Sequence, residues 1–165
     1  GRHGVIIGRD TDNLHVSAIS LAGSPRLVSR FTERYAAQGE LRSHGFAFRS
    51  DGDAHTTSGM LGLPMRSHLS TGVDHLDEVS TAILFLGVQD LELKSRGSLV
   101  ASPQTANDDC QASCFDWYGN TRPLFYRNRV FALLGYEVVE GQLDDGYLLE
   151  RRRVDVLQRL RPPSG

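Results

Sequence analysis

The sequence predicts an all-β chain, and three observations carry the prediction. Helical periodicity is almost absent over the 165 residues. Short apolar or alternating runs recur instead, such as GVIIG at 4–8 and TAILFLGV at 81–88. Between the runs stand clusters of Gly, Asp, Asn, Ser and Pro, which suit positive-φ or side-chain-capped turns.

Taken in order, Gly4–Gly8 reads as a short buried strand. Leu14–Leu21 alternates with Leu14, Val16 and Ala18 on one face, then slips by one to Ile19 and Leu21. Arg26–Phe31, Gly45–Phe48, Gly59–Met65 and Thr81–Val88 follow. Asp90–Lys94 puts Leu91 and Leu93 on one face, and Arg122–Tyr126, Arg129–Tyr136 and Tyr147–Val156 complete the set. Turns are expected at 10–13 (DTDN), 22–25 (AGSP), 50–53 (SDGD), 119–120 (GN), 127–128 (RN) and 144–146 (DDG). Thr32–Leu41 and Ala101–Cys114 read as loops or short helices.

Composition narrows the function classes. Length matches one domain with a real core, and 39% hydrophobic with 23% charged residues is ordinary for a globular chain. A net charge of −2 offers no broad field to nucleic acid or an anionic membrane. The longest apolar runs fall far short of the roughly 20 residues of a membrane span. Lys94 is the single lysine, which removes Schiff-base and phosphate-loop lysine chemistry.

Regularly spaced short strands fit a sandwich, a barrel or a propeller. At about 40–50 residues per propeller blade the chain holds about three to three and a half blades. Propellers usually close with about four to eight. An arc of three leaves open sheet edges, so a propeller-type chain of this length is expected to be part of a larger ring. Residues 1–156 are then the C-terminal portion of a β-propeller, and 157–165, ending RLRPPSG, a C-terminal tail.

Four segments carry a resemblance: GELRSHGFAFRSDGD (39–53), GMLGLPM (59–65), TAILFL (81–86) and CQASCFDWYGNTRPLFYRNRVFALLGYEVVEG (110–141). Together they resemble the C-terminal part of a family of bacterial secreted proteins with a C-terminal β-propeller distantly related to WD40 repeats. The resemblance runs from about residue 4 to about 154, with 110–141 its most specific part. It implies an exported protein, periplasmic or at the cell surface, with no assigned enzymatic mechanism and no catalytic residues to carry over.

Cys110 and Cys114 stand C-x-x-x-C, and three readings compete. Zinc needs two more ligands, yet there is no third cysteine and no H-x-x-x-H pair among the six histidines. Thioredoxin-type chemistry uses C-x-x-C in a βαβ setting. A local disulfide fits best: i and i+4 on a helical turn lie about 6 Å apart, and an exported protein permits the bond. So small a loop contributes about 2 kcal/mol, enough to pin a turn on which Trp117 and Tyr118 would pack.

Asp51, Asp53 and His55 in SDGDAH, with His44, are the candidates for calcium or a transition metal. A calcium loop wants carboxylates at several more fixed positions and a distal Glu, so an Asx-type turn is the favoured reading of the two aspartates, and the same holds for Asp10, Asp12 and Asn13. Asp144 and Asp145 before Gly146 read as a hairpin turn. Ser43 and His44 cannot serve each other, because adjacent residues on an extended chain point to opposite faces. Neither a G-x-S-x-G elbow nor an H-E-x-x-H motif is present. Arg122, Arg127 and Arg129, with Trp117, could clamp an anionic ligand, or bond loop carbonyls. Arg151–Arg153 lie in an extended run flanked by Glu150 and Asp155, which favours a solvated or carboxylate-paired face over nucleic-acid binding.

The function expected from the sequence is a non-enzymatic binding or assembly module without a cofactor, completed by an N-terminal propeller segment or second protein chain. The alternative is a metal-dependent periplasmic enzyme with His and Asp residues gathered at the propeller axis.

Overall fold

The computed structural model describes residues 2–39, 45–52, 57–69, 78–102 and 121–156. They form twelve strands in three antiparallel sheets. Sheet A is the meander β1 (His3–Arg9), β2 (Asn13–Ser20), β3 (Arg26–Arg34). Sheet B holds β4 (Ala36–Gln38), β5 (Ala47–Ser50), β6 (Gly59–Leu69), β7 (Glu78–Gln89) and β8 (Glu92–Val100). Sheet C is the meander β9 (Thr121–Tyr126), β10 (Arg129–Leu134), β11 (Glu137–Asp144), β12 (Tyr147–Asp155).

The sheets stack face to face with B in the middle. Leu14, Val16 and Ala18 of β2 meet Leu61, Leu63, Leu84 and Leu86 in the core between A and B. Ile83, Phe85 and Leu99 meet Val130, Ala132, Leu134 and Val139 in the core between B and C. Successive residues of a strand point to opposite faces, so a strand covered on both sides must be apolar throughout. That is why Ala82–Val88 is one unbroken buried run. Sheets B and C approach closely at Gly62, where an added Cβ would stand 2.4 Å from the Pro123 Cβ.

Pro64 lies inside β6, where its missing N–H ought to break a ladder. β5 pairs with Gly59–Gly62 and β4 with Met65–Ser67 along the same edge, and Pro64 falls in the gap between them.

All three meanders run the same way across the stack. The final strands β3, β8 and β12 lie along one edge, and β1, β4, β5 and β9 along the other. Each final strand carries a bulge against its neighbour, opposite Ala18/Ile19, Phe85/Leu86 and Glu140/Gly141. The bulged residues are Val28, Arg96 and Arg151. The β7–β8 and β11–β12 hairpins also turn alike, with positive φ at Asp90 and Leu91 and at Asp145 and Gly146, the type I′ pattern that matches strand twist. The stack is open: neither a closed barrel nor a propeller ring forms among the described residues.

Several expectations are corrected. Thr32–Leu41 is neither loop nor helix as far as it is described: β3 runs to Arg34, Tyr35 turns with φ 53°, and β4 follows. Leu91 is in a turn, not on a strand face with Leu93. The expected strand Arg129–Tyr136 stops at Leu134, Gly135 turns with φ 62°, and β11 is a strand of its own. The slip in apolar pattern at Ala18/Ile19 coincides with the sheet A bulge. Of Ala101–Cys114, only Ala101 and Ser102 are described.

Thr121 opens β9 facing sheet B, and its buried hydroxyl has no hydrogen-bond partner among the described residues. An unpaired buried polar group costs on the order of 1–3 kcal/mol. Thr121→Val is therefore expected to raise unfolding stability by about 1 kcal/mol in a urea titration; a loss of stability would show that the hydroxyl is satisfied.

Candidate functional site

Among the described residues two sheet faces have no further sheet packed on them, the outer face of A and the outer face of C, and they gather most of the described polar chemistry. On sheet A, Asp10 closes the β1–β2 turn: its Oδ1 accepts from the backbone N–H of Asp12 (3.0 Å) and of Asn13 (2.8 Å). Its Oδ2 lies 2.8 Å from His15 Nε2, and His15 Nδ1 lies 2.9 Å from Thr32 Oγ1. The ionised carboxylate can only accept, so Nε2 carries the proton, and in neutral His15 the Thr32 hydroxyl donates to Nδ1. His15 and its turn-side hydrogen bonds hold the Asp10 carboxyl far below the usual carboxylate range.

Hydroxyl, imidazole and carboxylate are thus in the order that a nucleophilic site uses. The setting differs from such a site. Asp10 is committed to the turn, and Thr32 is a cross-strand neighbour of His15 on an open sheet surface that water reaches freely. What the chain of bonds does is tie the turn, β2 and β3 together. The Asx-turn expected at 10–13 is this turn.

The depressed Asp10 pKa fixes a pH dependence. The stability it contributes is fully present above the unfolded carboxylate's ordinary value near 4. It is lost as pH falls through the folded value. The thermal-midpoint gap between the wild type and Asp10→Ala is therefore expected to narrow as pH is lowered from about 5 to about 2. A gap independent of pH would remove the carboxylate from the account.

On sheet C, Arg129 Nε and Nη2 donate to the two oxygens of Glu140, both at 2.8 Å, and its guanidinium lies 4.8 Å from the centre of the Phe131 ring. Arg151, the bulge residue, adds a longer bond of 3.4 Å to Glu140. Arg129 first, then Arg151 and Arg152, pull the Glu140 carboxyl below its ordinary range and keep it ionised. Around this pair stand the half-buried Leu124, Phe131, Leu133, Val138 and Val154.

The sequence-predicted arginines are not brought together as a clamp. Arg129 is engaged by Glu140. Arg122 pairs opposite Leu133, at the far end of the β9–β10 hairpin. Arg127 sits in the turn with φ 44° and lies over Tyr126. Asp51 is exposed beside its turn, and its N–H donates to Ser58 O at 3.1 Å. His44, Asp53, His55, Cys110, Cys114 and Trp117 lie outside the described residues. Among the described residues no group of three or more His, Cys, Asp or Glu could hold a metal ion, and no helix is long and apolar enough to cross a membrane.

Sequence reasoning missed Glu137 and Glu140, both buried. Glu137 lies at the B–C junction. Its Oε1 accepts from Ser102 Oγ (2.6 Å), and its Oε2 from Ser102 N (3.0 Å) and Arg153 Nη1 (2.5 Å). Arg153 also bonds Glu150 and the Val100 carbonyl, which ties sheet C to the end of β8. The signal available in the sequence was the match of these glutamates with the arginine run across one hairpin.

The chain has no match among protein-family models, curated proteins or solved structures.

Proposed function

We propose that the chain is the C-terminal portion of an exported β-propeller that works as a non-enzymatic binding and assembly module. Further sheets, from an N-terminal segment or a second chain, complete its ring. The observation that carries this reading is the contrast between the sheets. Sheet B is covered on both faces by sheets like itself, whereas among the described residues no sheet packs on the outer faces of A and C. The outer face of C presents half-buried Phe131, Leu133, Val138 and Val154, and that of A the exposed Ile6 and Leu27. The expected occupant of each face is another antiparallel meander, because the shared direction and the bulge in every final strand describe a unit that repeats. Two such packings already exist within the stack. The interactions that most look like chemistry, Asp10–His15–Thr32 and Arg129–Glu140, are hydrogen-bonded within their own sheets, which supports binding over catalysis.

Native mass spectrometry of the protein from its source tests the reading. A complex with a second polypeptide or with upstream sheets, lost in Phe131→Glu, is expected. A stable monomer whose thermal midpoint is unchanged by that substitution overturns it. One equivalent of bound metal would turn attention to His44, Asp51, Asp53 and His55 and a metal-dependent enzyme. The Cys110–Cys114 disulfide belongs to the same reading, and predicts a denatured, non-reduced mass about 2 Da below the thiol form.

A further inference from the structure

A cleft of about 430 Å³ opens between sheets B and C at the end carrying the β7–β8 and β11–β12 turns, lined by Arg49, Met60, Gly87, Arg96, Leu143 and Gly146 among others. We propose that it binds a small anion, a carboxylate or a phosphate, between the guanidinium groups of Arg49 and Arg96. The proposal does not depend on whether the sheets belong to a closed ring.

Register places the two arginines. Arg49 pairs with Met60, and Met60 with Gly87, so the three form one row across sheet B. Met60 belongs to the B–C core, so that row faces sheet C. Arg49 accordingly reaches across to β9, with its guanidinium 5.3 Å from the centre of the Phe125 ring. Two inter-strand steps separate Arg49 from Gly87, about 10 Å between Cα atoms.

Arg96 arrives at the other end of that row by two devices. It is the bulged residue of β8, opposite Phe85/Leu86, and a bulge re-aims a side chain out of the normal alternation. Gly87 then leaves room for it: a Cβ there would lie 2.4 Å from Arg96 Nε. Laid across the glycine, Arg96 donates from Nη1 to the Gly146 carbonyl at 3.1 Å.

Charge supplies the ligand class. Arg49 and Arg96 are both half-buried, and neither has a carboxylate partner among the described residues. Arg153, buried to a similar degree, has two. Partly desolvated like charges facing one cleft are unfavourable until an anion joins them. Guanidinium forks match carboxylate and phosphate oxygens with paired N–H bonds. Asp51 is the one carboxylate among the lining residues, exposed and unpaired with either arginine. Met60 and Leu143 give the cleft an apolar wall, so the anion can carry a short hydrocarbon part.

The test is a titration of the full chain at low ionic strength, with inorganic phosphate and with succinate separately, followed by amide chemical shifts. Saturable shifts at Gly59, Gly87 and Gly146 are expected, with the tighter probe identifying phosphate or carboxylate as the natural group. Arg49→Met and Arg96→Met are each expected to weaken binding at least about tenfold, the loss of one charge-assisted pair. Gly87→Ala is expected to do the same by displacing Arg96, while Arg96→Lys restores part of the affinity. Thermal midpoints confirm that each variant is folded, and Arg49→Met remains informative if a change at 87 or 96 unfolds the chain. Shifts that never saturate, or affinities unchanged in folded Arg49→Met, overturn the proposal.

Discussion

Phe85→Ala is expected to lower unfolding stability by about 3–5 kcal/mol, the range for truncating a fully buried aromatic. Phe85 is 0% exposed at the middle of β7 and faces sheet C. Its ring meets Phe125 edge-on, with centroids 6.1 Å apart and planes at 77°. The site has little means to collapse around a cavity, because ladders hold β7 on both sides and Gly62 and Pro123 already bring the sheets close. Phe85→Leu keeps most of the volume and is expected to cost roughly 1–1.5 kcal/mol. Urea unfolding of the three proteins checks this, and a loss below about 1 kcal/mol for alanine would mean that sheets B and C do not share a packed core.

Glu137→Ala is expected to be nearly as damaging, about 3 kcal/mol, at the lower end for breaking a buried ion pair because Arg153 keeps Glu150. Glu137 is 2% exposed and accepts three hydrogen bonds, so its removal takes one bond from the Ser102 N–H, one from the Ser102 hydroxyl and one from an Arg153 guanidinium nitrogen. Glu150 first and Glu137 after it hold the Arg153 pKa above its ordinary value, and without Glu137 the guanidinium still keeps its proton, because arginine does not deprotonate in a protein. The double variant Glu137→Ala/Arg153→Met should recover part of the loss, since what costs most is a desolvated charge without its partner. A double variant no better than the sum of the singles would locate the effect in packing.

These two positions also mark what could and could not be read from the sequence. β7 was legible because a strand buried on both faces has to be apolar at every residue, and the run around Phe85 is. The Asp10 turn and the Asp145–Gly146 turn were legible because local side-chain bonding and positive φ need those residue types. β11 was not legible. Its inward-facing residues include Glu137 and Gly141, and a buried carboxylate looks like a solvent-facing one until its arginine is placed beside it. Leu91 was misread for a related reason: it holds a left-handed turn conformation that leucine rarely takes, retained here while Leu91 packs against the A–B core and its carbonyl accepts from Ser29 Oγ. The cleft arginines were invisible as a pair. They are 47 positions apart, and only the β5–β6–β7 register and the β8 bulge bring them to one row.

The double cover on sheet B has a consequence in time. An amide on an outer sheet can meet solvent when a hairpin frays. An amide at the centre of β7 is bonded into two ladders and roofed on both sides, so no local opening frees it. Its exchange with deuterium should therefore follow the global unfolding equilibrium, while β3 and β12, the last described strands of their sheets, exchange through smaller excursions. A slow core of protons confined to Ala82–Leu86, with protection falling away toward both outer sheets, would make the middle sheet the clock by which the whole chain opens.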